Sequence, residues 1–302
     1  MSLLDTPLCG LLGVRYPFVQ APMANTAPPG LAAAVSGAGA LGSVAGGSLS
    51  AEKLRAAIRE VRSATDRPFA VNVFAPPYLR DGALDVVLEE QPPVCSFTFG
   101  VVDPEPLREA GIVVLGTATT AEEAEALERA GVDAIVAQGA EAGGHRGSFL
   151  GGFPLVPLPK LVPSCVEAVS VPVVAAGGIM DGAGIAGALR LGAQGVSLGT
   201  AFLFTPEAGV PRAHLEALRS YETVVTDAYT GRPMRAAHTR VLAELMAGPP
   251  ALPFPDQRAV AAAKGPLYMG GTGAARGREL GVGELVRLLA AEAVAAERSA
   301  SG

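Results

Sequence analysis

The stretch Ala121-Glu-Glu-Ala-Glu-Ala-Leu-Glu-Arg-Ala-Gly-Val-Asp-Ala-Ile-Val-Ala-Gln-Gly-Ala-Glu-Ala-Gly-Gly-His-Arg-Gly147 holds one complete unit of the fold. Thr120 precedes it as a helix N-cap, and Glu122 and Glu123 fall in the first turn, where a helix favours negative charge. Gly131 follows the helix, where a left-handed cap residue is expected. Ala134–Gln138 is a short apolar run that reads as a buried strand. That strand opens into a Gly-rich loop carrying His145, one of only three histidines in the chain. Glycines let backbone N–H groups approach a ligand, and imidazole is the side chain best suited to move a proton near neutral pH.

The same alternation extends in both directions. Strand-type runs occur at Phe18–Met23, Leu41–Ala45, Phe69–Phe74, Val94–Phe99, Ile112–Thr117, Val171–Ala176 and Gly195–Gly199, which with Ala134–Gln138 makes eight. Helix-type stretches lie between them at Pro29–Ser36, Ala51–Ser63, Gly82–Glu90, Pro104–Ala110, Leu158–Val169 and Gly182–Leu191. Gly111 and Gly192 end helices as Gly131 does. This pattern predicts an α/β fold, a (β/α)8 TIM barrel. An open doubly wound sheet fits less well, because no GxGxxG follows the first strand. After Thr205 the pattern changes. Residues 207–248 read as two helices around the polar segment Thr223-Val-Val-Thr-Asp-Ala-Tyr-Thr-Gly-Arg232, followed by the Pro-rich Gly248–Pro255. The expected organisation is therefore a barrel of residues 1–205 and 266–302, with a small, mainly helical inserted subdomain, 206–265, over its C-terminal face. A closing helix is expected at about Val282–Glu297, with Ser299–Gly302 as a frayed tail.

Composition narrows the function. Apolar residues make up 49% of the 302 residues and charged residues 17%, which suits helices packed on a buried parallel sheet. The net charge of −6, with no Lys/Arg cluster, argues against nucleic acid or an anionic membrane as partner. Cys9, Cys95 and Cys165 form neither a metal-type pair nor a disulfide framework, and the N-terminal residues Met1–Asp5 do not begin a signal peptide. A cytoplasmic protein is expected. Its oligomeric state is open, a homodimer included.

In a TIM barrel the loops at the C-terminal ends of the strands carry the site. The first strand ends Gln20-Ala-Pro-Met-Ala24, the third contains Asn72, the sixth ends at Gln138, the seventh leads into Gly177-Gly178, and the eighth runs Ser197-Leu198-Gly199-Thr200. Adjacent glycine-rich turns after strands seven and eight match a phosphate site, with backbone N–H groups and a helix N-terminus as donors. Asn72 and Gln138 carry amides that suit the polar edge of a flavin, with a simple bridge between two barrel strands as the lesser alternative for Asn72. Met23 is either a flat backing for that ring or ordinary core. Arg146 is either a solvated charge or an anion holder, and Tyr268 and Met269 either line a pocket or close the barrel. Glu141 is most simply a loop residue. His214 and His238 read as packing or surface residues.

The motifs QAPMA, VNVF, QGAEAGGHRG, PVVAAGGI, GVSLGTAF and a late GGTG resemble those of the nitronate monooxygenase group, once called 2-nitropropane dioxygenases. The resemblance covers nearly the whole chain. NADH:quinone reductases and FMN-dependent enoyl-ACP reductases are similar and place a His in the same loop. The resemblance implies non-covalent FMN, with Pro22, Met23, Ala24, Asn72, Gln138, Gly143, Gly144, Gly177, Gly178, Ser197, Leu198, Gly199, Thr200, Met269 and Gly270 around it and His145 as the catalytic base. Thr117 stands where some relatives place a Lys, and YMGGTG differs from the Gly-Gln-Gly pattern of others. Both differences bear on substrate choice. The expected reaction is FMN-dependent oxidation of an alkyl nitronate or nitroalkane by O2 to a carbonyl compound and nitrite, with no metal. The competing expectations are an NAD(P)H-dependent FMN reductase of quinones or enoyl thioesters, and a flavin-free barrel binding a phosphorylated metabolite.

Overall fold

Eight parallel strands form the barrel in a computed structural model that describes residues 3–24 and 26–301. Met1, Ser2 and Gly302, which belong to the N-terminal and tail readings above, lie outside the described residues. In chain order the strands are β1 (Phe18–Gln20), β2 (Gly42–Ala45), β3 (Phe69–Phe74), β4 (Val94–Thr98), β5 (Val113–Ala118), β6 (Ala134–Gln138), β7 (Gly144–His145), β8 (Val173–Ala176), β9 (Gly195–Leu198), β10 (Thr223–Thr226) and β11 (Met234–Ala237). The barrel order is β1-β9-β8-β6-β5-β4-β3-β2. It closes between β1 and β2 through the parallel bridge Val19↔Leu41. The fully buried Gln20 side chain ties the same seam, its Nε2 donating to Ser43 O at 3.1 Å and its Oε1 accepting from Ser43 N at 3.2 Å.

The helices before the insertion are α1 (Pro7–Leu12), α2 (Pro29–Gly37), α3 (Ala51–Ala64), α4 (Ala83–Glu90), α5 (Glu105–Glu109), α6 (Ala121–Ala130), α7 (Leu158–Ala168), α8 (Gly182–Arg190) and the short α9 (Thr200–Leu203). Their burial follows sequence periodicity: α3 buries Leu54, Ala57, Ile58 and Val61, spaced as one helical stripe against the barrel. Thr120 caps α6 by accepting from Glu123 N, and Gly131 ends it at φ 98°. Strand residues alternate between two cores. One set packs outward on the helices. Val19, Leu41, Ala70, Val94, Leu115, Ala134 and Val174 fill the barrel interior, with Leu8 and Leu12 of α1 packed against them. The sequence reading contained no α1, a six-residue helix too short to show a period.

Beyond α9 lie α10 (Arg212–Ser220), α11 (Arg240–Met246), α12 (Gln257–Ala262) and α13 (Val282–Ser301). The segment 223–232, whose composition predicts a polar connection between helices, is instead part of an antiparallel hairpin of β10 and β11. Its β-branched Thr223-Val-Val-Thr226 run was too short to stand out. The turn closes through Gly231 N donating to Asp227 O at 2.7 Å, with Gly231 at φ 79°. Helix α12 directly after the Pro-rich stretch also departs from expectation, and α13 continues to Ser301 where fraying was expected from Ser299. The hairpin's second strand β11 lies between β10 and β7, so the insertion is stitched to the loop that carries His145.

Candidate active site

The loop after β6 is fastened on both flanks. The Gln138 amide crosses its neck, Nε2 donating to His145 O at 3.0 Å and Oε1 accepting from Gly147 N at 2.8 Å. Glu141 Oε2 accepts from Leu158 N at the start of α7, and Glu141 O accepts from Thr272 N. Gly143 abuts the late glycine turn so closely that a Cβ there would lie 2.6 Å from Gly270 C. Arg146 N donates to Pro233 O, continuing the register that pairs Met234 with His145. These ties hold a glycine-rich segment in one conformation.

His145 sits among aromatic rings. Phe99 meets it edge-on at 6.1 Å and Phe254 at 5.3 Å, with Tyr78 packed edge-on against both. Phe99 takes φ 77°, a left-handed conformation that costs a non-glycine residue about 1–3 kcal/mol and is held by its surroundings. Nε2 of His145 lies 3.1 Å from Thr230 Oγ1 in the hairpin turn. Burial first, then the charges of Arg232 and Arg258, push the imidazole pKa down to about 3, so the ring is neutral at ordinary pH.

Three arginines surround this loop without a carboxylate clasp. Arg146 is fully buried, its guanidinium donating to Gly139 O at 2.8 Å and Gln138 O at 2.9 Å. Arg232 donates to Arg146 O and Ser148 O, and Arg235 donates twice to Ala140 O. Among the described residues none of the three is in an ion pair. Burial lowers the pKa of all three, that of Arg146 to about 10. Arg146 is therefore not a solvated charge; its two terminal nitrogens peg the loop's own carbonyls. The buried Glu123 carboxylate does not pair with them; it accepts from Thr119 N and Oγ1 and from Phe149 N and Leu150 N. The result is a positive region in a protein of net charge −6. A cleft of about 460 Å³ opens beside it, lined by Pro76, Tyr78, Phe99, Ser148, Phe153 and Arg232 among others.

The remaining sequence-predicted residues gather at the same end of the barrel. Register places Gln138 beside Ala176 and Ala176 beside Ser197, so Gly177 and Leu198 emerge at one level. Gly177 and Gly178 take φ 131° and 69°. The late glycine turn closes over them, with Gly271 N donating to Thr200 Oγ1 at 2.9 Å. Asn72 does bridge strands: its Nδ2 lies within 3.2 Å of Ser96 O, Ser96 Oγ and Thr98 Oγ1, while among the described residues Oδ1 has no donor. Leu198 is buried in the outer core, so only its backbone faces the mouth. Met23 is half-buried and packs on the apolar cluster of Leu203, Phe204 and Leu218, whereas Pro22 and Ala24 are exposed. Met269 O accepts a hydrogen bond from His214 Nε2, the packing role expected of that histidine; His238 is exposed. The helix-terminus part of the phosphate expectation changes. In α8, Gly184 N donates to Asp181 and Gly182 N to Glu292, so its first turn is already capped by the protein's own carboxylates. Sequence reasoning missed Tyr78, Phe99, Thr230, Arg232 and Phe254, whose only common property is spatial.

The comparisons with known proteins give the class of this (β/α)8 barrel. The nitronate monooxygenase family description matches residues 5–80 and 78–292. A probable nitronate monooxygenase of Staphylococcus saprophyticus is 40% identical, the match covering 77% of this chain and 78% of that protein. One from Staphylococcus aureus is also 40% identical, covering 79% of each. Among solved structures, nitroalkane oxidase from Streptomyces ansochromogenes superimposes with a TM-score of 0.89 at 39% identity, covering 98% of this chain and 99% of that one. FabK from Thermotoga maritima gives 0.86 at 31% identity, covering 99% of each chain. The protein is a flavin-dependent oxidoreductase. It belongs to the nitronate monooxygenase family.

Proposed function

We propose that the protein holds FMN at the mouth of its barrel and oxidises alkyl nitronates with O2 to a carbonyl compound and nitrite. The observation that carries this reading is a neutral His145 enclosed by aromatic rings beside arginines that no carboxylate pairs. A nitronate is a small anion, and Arg232 favours it over a neutral molecule at this point. Once bound, FMN supplies the one-electron oxidation of the nitronate and the reaction with O2.

The residues fit that cofactor. Asn72 Oδ1 is an available acceptor, and the Gln138 amide, after its two loop bonds, keeps one N–H and one lone pair for a flavin edge. The backbone at Gly178, Gly199 and Thr200 is the place for the terminal phosphate, and the carboxylate-capped start of α8 is not. Met23 flanks the cofactor site from the end of β1. The protein's own part in the reaction is to exclude water with Phe99 and Phe254, orient the anion with Arg232, and exchange a proton through His145. A neutral imidazole can take the α-proton of a nitroalkane as the nitronate forms. The imidazolium so created is offset by the new anion beside it.

The test is anaerobic mixing of FMN-loaded protein with a nitronate and, separately, with NADH. The flavin colour should change with nitronate alone; rapid bleaching by NADH would make the protein a reductase. With a neutral nitroalkane as substrate, His145→Asn should keep FMN and lose about 10²–10⁴ in turnover, the range a positioned acid–base group contributes.

A further inference from the structure

We propose that Thr230 is the positioning residue that fixes His145 as its Nε2–H tautomer, leaving Nδ1 as the ring's proton acceptor. This rests on the reading of His145 as the proton-exchanging residue. The Thr230 hydroxyl is buried and has a single proton to give. Its Oγ1 lies 2.8 Å from the carbonyl oxygen of Arg232, which can only accept, so the hydroxyl proton belongs there. The N–H of Arg232 reaches back to Oγ1 at 3.4 Å. The remaining contact of Oγ1 is His145 Nε2 at 3.1 Å. With its own proton committed to Arg232 O, Thr230 accepts in that contact, and Nε2 must carry a hydrogen. A neutral imidazole has one N–H, so Nδ1 is the bare nitrogen.

The frame around this bond is stiff. The turn bearing Thr230 closes on Asp227 O, and the strand that follows it pairs with His145 itself. Phe99 and Phe254 confine the ring from the barrel and from the Pro-rich stretch. The charged groups acting on it are Arg232 from the hairpin turn and Arg258 from α12, both cations, which disfavour a second proton on the ring. A hydroxyl, unlike a carboxylate, can orient the imidazole here without stabilising its charged form. The tautomer is thereby held with the Nδ1 lone pair uncommitted among the described residues.

The chain has three histidines, so long-range 1H–15N spectra of the FMN-loaded protein contain three rings, and His145→Asn identifies the one in question. The expected pattern is protonated Nε2 and bare Nδ1 in the wild type and in Thr230→Ser, and a mixture of tautomers in Thr230→Val. Turnover of a neutral nitroalkane should fall about tenfold or more in Thr230→Val with KM little changed, a part of what a positioned base supplies, and return in Thr230→Ser. An Nδ1–H ring in the wild type overturns the proposal, and so does a Thr230→Val protein with unaltered tautomer and turnover. If His145→Asn turns over like the wild type while the expected tautomers are seen, the proton-exchange role fails and the Thr230 assignment stands.

Discussion

The guanidinium carbon of Arg232 lies 4.1 Å from the centroid of the Phe99 ring, and the same ring meets His145 edge-on. One aromatic side chain thus couples the cation proposed to favour an anionic substrate to the imidazole proposed to exchange its proton. Stacking holds the planar guanidinium against an apolar wall, while two backbone carbonyls take its hydrogen bonds and leave its charge uncancelled.

Arg232→Gln removes that charge. KM for a nitronate should rise about tenfold or more, as expected for losing a charge-assisted contact of about 1.5–3 kcal/mol. The imidazole pKa should climb from about 3 toward its ordinary 6.5, because one of the two cations depressing it is gone. Steady-state kinetics and an NMR titration read the two effects separately; an unchanged KM would remove Arg232 from anion recognition.

His145 also makes stability depend on pH. Its folded pKa of about 3 lies below the ordinary 6.5. Between those values the unfolded chain binds a proton that the folded chain does not. Stability therefore falls as pH drops from 6.5 toward 3, by up to about 1.4 kcal/mol per pH unit from this group. His145→Asn should lose less stability than wild type between neutral pH and the acid end of that window. Parallel losses in denaturant melts of the two proteins would contradict the buried, neutral ring.

Arg146→Leu takes the guanidinium donor from the carbonyls of Gln138 and Gly139, of which Gly139 O keeps Ala142 N. The expected destabilisation is about 1–3 kcal/mol, the scale of a buried acceptor losing its partner. Because the same carbonyls shape the end of β6, flavin retention should drop as well. A variant that melts like wild type would show that the loop holds without its peg.

Two glycine substitutions should go in opposite directions. Gly143→Ala drives a methyl to 2.6 Å from Gly270 C, backbone against backbone, and should destabilise the protein and lower flavin binding. Gly187 lies inside α8 with nothing within 4 Å of an added Cβ, so Gly187→Ala should stabilise by about 0.5–1 kcal/mol. Thermal melts of the pair check both.

The barrel was legible in the chain because its determinants are local. Phe69–Phe74, Ala121–Ala130 and Ala134–Gln138 coincide with β3, α6 and β6 at both ends, since apolar period, cap residue and stop glycine all act within a few positions. Strand-end residues such as Gln138, Gly177, Gly178 and Thr200 could likewise be sited, because a (β/α)8 barrel puts every such end on one face. The rest required the folded chain. Nothing near Thr230 or Arg232 in sequence points to His145, 85 and 87 positions away, because the hairpin's partner strand is only two residues long. Arg146 could be read as solvated or ligand-binding until its carbonyl acceptors were seen, since burial depends on what the insertion lays over the loop. Local backbone preference set the scaffold; contacts between segments far apart in the chain set the charge, tautomer and enclosure of the imidazole.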